Sequence, residues 1–480
     1  MTGSMILWTA VKILVMVGFL FNMGGLLTWV DRRLSSMIQD RVGPNRAGIK
    51  LGKFELRVAG LLHTAADGVK FFFKEDFMPP KADKLLFSLA PILAMVPVLA
   101  LTAVIPFGDT ISPHQLWRHV CAPIDGHTIQ LVEGQCIDAA TKAVLAKPLL
   151  VFPSAARLGI SAVQPPIELQ VAPLNVGILY VFAMAGQGIV GAAIAGWSSD
   201  NKFSLMVALR AASQMVSYEV TMGLSLVGAM MLYGSVRLED MVRWQGDNCW
   251  GIFVQPLAFF LFFASAVAET KRIPFDLPEA ESELVSGYFT EYSGMKFGMF
   301  YFAEYMEIVT SSMLLVTIFL GGWQLPFLHR DGLTVALGDT VYFAQRLPHI
   351  WVIIFGVLGF FSKVIAMCLL QAFVRWSLPR FRYDQLMKLG WTVLLPASLA
   401  NIFATGVLYL AADSGGESVA QTLKFVADVT QGVVAAAMIG LPTWALYGFF
   451  NTRAKDRTLI GTSGDMAAAA GGTKTSPMQA

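Results

Sequence analysis

The sequence predicts an all-α fold, a polytopic transmembrane helix bundle of about nine helices, from three observations. Of 480 residues, 55% are hydrophobic and only 14% charged, against about 25% charged in an ordinary soluble domain, and the mean hydropathy is +0.59. The apolar residues gather in runs long enough to cross a bilayer, which takes roughly 20 residues per helix. The runs are solidly apolar and do not alternate, which excludes the ~10-residue strands of an outer-membrane barrel. A net charge of +2 with no dense basic face excludes a nucleic-acid partner. Four cysteines without a CxxC or Cys/His grouping predict no protein-borne zinc or iron-sulfur site, so no metal and no redox cofactor is expected on this chain.

The runs lie near 5–30, 85–107, 174–196, 211–235, 250–268, 297–321, 349–372, 390–411 and an extra ninth at 425–450, making 1–451 one transmembrane domain. The first is too long for a signal peptide and lacks a cleavage site, so it reads as a retained helix. The polar, then Ala- and Gly-rich stretch 452–480 predicts a disordered tail. Odd-numbered loops and the tail hold 24 Lys and Arg and even-numbered loops 9. This bias places the N-terminus outside and the odd loops in the cytoplasm. The first cytoplasmic loop, 31–84, contains FELRVAGLLHTAADGVKFFFKED. There His63, Asp67, Lys70 and Lys74 make a polar stripe opposite Val58, Leu61, Ala65, Val69 and Phe72, a surface helix that either only anchors or also binds. The extended outer loop, 108–173, carries Cys121 and Cys136, candidates for a disulfide in an oxidising compartment. Cys249 lies on the same side and could compete, while Cys368 reads as a buried apolar residue. No inverted repeat of the secondary-transporter kind is visible.

The acidic cytoplasmic loop 269–296 places Glu269, Asp276, Glu279, Glu281, Glu283 and Glu291 between two apolar runs. By composition it is either a solvated loop or a functional set, because ionisable groups near membrane depth are costly. Other polar residues sit in or beside the runs. Arg210 precedes AASQMVSYEV, which sets Glu219 about two turns into the fourth run; Glu269 ends the fifth, with Arg272 one turn on; Glu304 and Glu307 share a face of the sixth; Lys363 lies in the seventh. Taken singly, each reads as an ion pair or a snorkelling side chain, as Lys12 does near its helix end. Several carboxylates on neighbouring helices repel one another and exchange protons, which suits a relay.

AETKRIPFDLPEAESELVSGYFTEY resembles the signature of the quinone-site membrane subunit of respiratory complex I, a family with bacterial and mitochondrial branches. DRRLSSMIQDRVGPNRAG, ADGVKFFFKED, GWSSDNKFSLMVALRAASQMVSYEV, FAEY and LPRFRYDQLMKLGW follow in family order, from about Trp29 to Pro396. The resemblance implies a multi-pass component of a proton-pumping NADH:quinone oxidoreductase in the bacterial cytoplasmic (inner) membrane. Quinone would be the substrate, with iron-sulfur clusters and FMN on partner subunits. It implies partners in the peripheral arm and among the small and antiporter-like membrane-arm subunits. Glu219, Glu269 and Glu304 would form the proton relay, with Arg210 and Arg272 as charge partners. Asp31, Arg32, Arg41, Asp67, Lys70, Asp276, Glu279, Glu281 and Glu283 would line the quinone channel, with Gly43, Pro44 and Asn45 beside its entrance. Asp31, Arg32 and Arg33 stand where the family has Glu, Arg and a base, so Asp31 keeps the charge with one methylene less reach. The long outer loop and ninth helix are additions to the family's usual eight helices. A related membrane component of a membrane-bound hydrogenase or a ferredoxin- or F420-linked dehydrogenase is the alternative, and a stand-alone ion transporter a third reading.

A Cys121–Cys136 bridge predicts that neither thiol reacts with a labelling reagent until the protein is reduced; free thiols in unreduced protein would rule it out.

Overall fold

The computed structural model describes residues 3–111, 167–278, 287–414 and 428–438, with short gaps in the first and third of these, plus a few strands between 119 and 150 and isolated residues near 440. The helices are α1 (Gly3–Ile38), α2 (Leu62–Phe73), α3 (Lys84–Leu101), α4 (Gly177–Ser198), α5 (Lys202–Tyr233), α6 (Leu238–Asp247), the single turn α7 (Gly251–Val254), α8 (Pro256–Glu269), α9 (Gly294–Phe319), α10 (His349–Ser377), α11 (Tyr383–Lys388) and α12 (Leu395–Ser414). A π-helical turn, Leu389–Leu394, runs α11 into α12. Among the described residues, short antiparallel strands occur only in loops, as in the pair Ile49–Leu51 and Phe54–Leu56 and the group Leu328–His329, Gly332–Leu337 and Thr340–Arg346.

Seven of the described helices are long and apolar enough to cross a membrane, and the chain is an integral membrane protein. Among them α9 is the hub: 89% of its apolar stretch is buried, against 22% to 50% in the other six. Met306, Val309, Met313 and Val316 of α9 pack with Met16, Leu20 and Leu27 of α1 and Phe360 and Val364 of α10. Lipid-facing sides stay apolar, as at Phe403, Val407 and Leu410 of α12. The surface helix is present as α2: Val69, Phe72 and Phe73 are exposed on one side, and Asp67 on the other reaches Arg32 of α1 at 2.6 Å.

Two expectations change. The fifth run is interrupted at Gln255, where Pro256 supplies no N–H to continue the ladder. The remaining α8 has 14 residues and spans only about 21 Å, less than the ~30 Å hydrocarbon core. At the break the Gln255 side chain turns to α12: it donates to Thr405 Oγ1 at 2.8 Å and accepts from Asn401 at 3.1 Å. The fourth run starts earlier than its hydropathy suggests, at Lys202, where Asn201 Oδ1 accepts from Phe203 N at 2.9 Å as an N-cap. Glu219 therefore sits in the middle of α5, not two turns from its start. Of the ninth run, 428–438 is helical and most of the rest lies outside the described residues.

The loops at one end of the bundle converge on one another. Ser293 bonds Glu75 O, Asn201 bonds Glu291, and Phe381 N donates to Pro274 O. At the other end the long loop 108–173 leaves through a neck. Ile111 and Ile167 exchange two 2.8 Å hydrogen bonds, Phe107 N donates to Leu169 O, and Lys12 Nζ bonds the carbonyls of Glu168 and Gln170. Cys121 falls outside the described residues.

Lys363 holds the same end of α9. Its ammonium donates to the carbonyls of Leu320, Gly322 and Gln324 at 2.8, 3.0 and 2.6 Å and lies 4.1 Å from the Trp250 ring centroid. Lys363→Met strands these buried carbonyls and is expected to destabilise the fold by about 3 kcal/mol or more, read as a lower midpoint of thermal unfolding in detergent.

Candidate functional site

The chain leaves α8 at Glu269 and turns through Thr270 and Lys271, the latter at φ +57°, which few residues other than glycine adopt. The turn aims two adjacent cations at two carboxylates. Lys271 Nζ donates to both Glu307 oxygens at 3.1 and 3.2 Å. Arg272 Nη2 lies 3.8 Å from Glu304 Oε2. Glu304 and Glu307 are three residues apart on α9 and share a face, so spacing along the helix matches spacing across the turn. Burial disfavours a charged Lys271, but Glu307 and Glu304 outweigh it and hold its proton more tightly than an ordinary lysine's.

Arg272 also donates to Asp31 Oδ2 of α1 at 3.0 Å. The same oxygen accepts from Arg375 of α10 at 2.5 Å and from the Tyr305 hydroxyl at 3.0 Å. The Arg272 guanidinium lies 3.7 Å from the centroid of the Tyr305 ring, a cation–π contact beside its ion pairs. Asp31, Arg272 and Glu304 are all less than a tenth exposed, and charges so buried persist only when paired. The shorter Asp31 side chain reaches both arginines.

A cavity of about 460 Å³ opens beside this cluster between α1, α2 and α9. Arg32, Asp67 and Lys70 stand on its wall together with Phe21, Met95, Phe71, Met299 and Phe302. Tyr301, also on that wall, hydrogen-bonds Tyr305 at 3.1 Å. Cavity, Tyr301, Tyr305, Asp31 and Arg272 thus form one continuous line of contacts.

On the far side of the turn, a smaller cavity of about 40 Å³ is polar at Glu269, Thr270, Glu307, Thr310 and Ser311, and apolar at Val98, Val181, Met222 and Phe262. It has room for a few water molecules. A Cβ at Gly186 would lie 3.4 Å from Glu219 Oε1 and one at Gly188 3.8 Å from Glu307 Oε1. Both carboxylates thus lie against the backbone face of α4 at ordinary contact distance. Glu219 and Glu307 are close enough to repel the charge of Glu269.

The structure thus joins Asp31, Arg272 and Glu304 in one cluster, sets Glu219 and Glu307 beside Glu269, and puts Arg32, Asp67 and Lys70 on the larger cavity. Arg210 lies with its guanidinium 5.5 Å from the Tyr383 ring. Asp276 is buried, and its carbonyl accepts from Arg380 at 2.7 Å. Arg41 is exposed and bonds Gln39. Glu279, Glu281 and Glu283 lie outside the described residues. Sequence reasoning assigned no role to Lys271, Tyr301, Tyr305 or Arg375, and placed Glu307 on a helix face without a partner. The tandem Lys271–Arg272 and the two tyrosines four apart in an apolar helix were the available signals.

A sequence model of the NADH dehydrogenase family matches residues 11–133 and 134–406. The first H-type chain of the NADH-quinone oxidoreductase of Cytophaga hutchinsonii is 39% identical over 383 residues, 80% of this chain and 91% of the relative. The second H-type chain from Geobacter metallireducens is 39% identical over 397 residues, 83% and 94% of the two chains. The corresponding chain from Flavobacterium psychrophilum is 37% identical over 410 residues, 85% and 99%. With a family match across the spans that carry the ion cluster and cavities, the chain belongs to the NADH dehydrogenase family, alongside the H-type membrane chains of NADH-quinone oxidoreductases.

Proposed function

We propose that this chain forms the quinone channel of a proton-pumping NADH:quinone oxidoreductase and passes the charge change of quinone reduction to buried carboxylates. The observation that carries this reading is the turn after α8. It opens the acidic loop and supplies cations to both carboxylate sets, Arg272 for Asp31 and Glu304 and Lys271 for Glu307.

In this reading the larger cavity is the membrane mouth of the channel. Its aromatic and methionine wall suits an apolar quinone tail, and Arg32, Asp67 and Lys70 suit the polar end. The channel leads to a chamber shared with the peripheral arm, where a partner's terminal iron-sulfur cluster delivers electrons. Asp276, Glu279, Glu281, Glu283 and Arg41 border it. Reducing a quinone to a quinol consumes two electrons and two protons, so the local charge changes until protons arrive. The acidic loop responds to that change, and its first residues are the cations that set how firmly Glu304, Glu307 and Glu269 hold protons. Arg272 redistributes between Asp31 and Glu304, Lys271 shifts on Glu307, and Glu269 and Glu219 continue the relay through the smaller cavity. Small and antiporter-like membrane subunits would receive the signal. The loops that converge around this site face the cytoplasm of a bacterial inner membrane, with the N-terminus outside.

In the assembled complex, Arg272→Met, Glu219→Gln and Glu279→Gln are each expected to lower quinone-linked turnover on the order of tenfold or more. NADH oxidation by an artificial acceptor at the peripheral arm should stay intact. Wild-type turnover in these variants defeats the reading, whereas equal loss of both activities marks failed assembly. Tyr301→Phe keeps the ring in the cavity wall and breaks the link to Tyr305, so steady-state kinetics should show a lower kcat with quinone KM unchanged.

A further inference from the structure

Gln214 of α5 is fully buried. Its single Nε2 donates to two carbonyls, Ala268 O and Phe275 O, each at 2.7 Å. Those carbonyls bracket the turn described above: Ala268 immediately precedes Glu269, and Phe275 immediately precedes Asp276. A primary amide is the neutral side-chain group with two donors on one nitrogen; asparagine offers the same group one methylene short. Within the turn, Lys271 N donates to Ala268 O and Phe275 N to Arg272 O. Phe381 and Arg380 hold Pro274 O and Asp276 O from the loop after α10. Gln214 supplies the hydrogen bonds to α5, beside the ring contact of Tyr218 with Phe275 at 5.6 Å, and α5 carries Glu219 five residues further on.

We propose that Gln214 is a positioning residue, a staple that closes 268–275 against α5 and so fixes the reach of Lys271 and Arg272 to their carboxylates and the place of Glu269 relative to Glu219. The inference rests on the relay reading of these groups, and its geometry is specific: both amide hydrogens are used, and both acceptors belong to the turn. Losing the staple lets the turn shift without removing a charge. The expected consequence is mispositioned cations, with the proton relay weakened and the quinone mouth left as it is.

The test uses the whole assembled complex carrying Gln214→Glu or Gln214→Met, with artificial-acceptor NADH oxidation as the measure of assembly. Gln214→Met should lower quinone-linked kcat on the order of tenfold at every pH, leave quinone KM unchanged and reduce the ratio of protons moved to electrons passed. Gln214→Glu can donate one hydrogen bond when protonated and none when ionised, so its turnover relative to wild type should rise as pH falls. The ionisable groups that flank this position, Glu269, Lys271, Arg272 and Asp276 of the turn, Arg210, Tyr218 and Glu219 of α5, and Arg380, are the same in variant and wild type, so the variant-to-wild-type ratio isolates the substituted side chain. A flat ratio, or a KM change without a kcat change, overturns the proposal. Wild-type turnover and proton ratio in both variants, while Arg272→Met loses them, overturns the staple and leaves the relay reading standing. Wild-type behaviour in all three overturns both.

Discussion

The guanidinium of Arg272, buried between Asp31 and Glu304 and over the face of Tyr305, sets the terms for the rest of the bundle. A buried cation is tolerated only with well-placed partners, and removing one partner of such a pair costs about 3–5 kcal/mol. Those partners come from separated parts of the chain: α1, α9 and, through Arg375 on the shared Asp31, α10. Meeting at one charge fixes the rotation of each helix about its axis, a property that apolar packing among Met, Leu and Val leaves loosely specified.

Charged side chains fasten both ends of the bundle. At the end of the acidic loop they pair with one another around the turn after α8. At the other end Lys12 and Lys363 bond backbone carbonyls, beside an ion-pair group of Arg237 and Arg243 with Glu168 and Glu239. Loop 108–173 is drawn together at the Ile111–Ile167 pairing. The smaller cavity is lined from α3, α4, α5, α8 and α9, so helix packing sets its dimensions.

Most of the spans were legible in the sequence because hydropathy measures the quantity that places a helix in a bilayer. The break at Gln255 was not, since a run of apolar residues hides one missing hydrogen bond; Pro256 was the signal. Nor was the depth of Glu219: Lys202, Ser204 and Arg210 make the first turns of α5 polar, while the Asn201 cap shows that the helix has already begun. In the site, the Glu304 and Glu307 spacing was readable as one helix face. Their division between two cations was not, because it depends on the left-handed turn at Lys271. Arg375 lies 344 residues from Asp31, and Tyr305 looks like any aromatic in an apolar helix. Local periodicity carries no trace of such meetings.

The charge inventory of this region has a further consequence. Asp31, Glu219, Glu269, Glu304 and Glu307 face three cations, Lys271, Arg272 and Arg375. Five carboxylates thus share three fixed positive charges, and, in the manner of a small capacitor, a displacement of the Lys271–Arg272 turn changes the voltage that they feel without any cation leaving the protein.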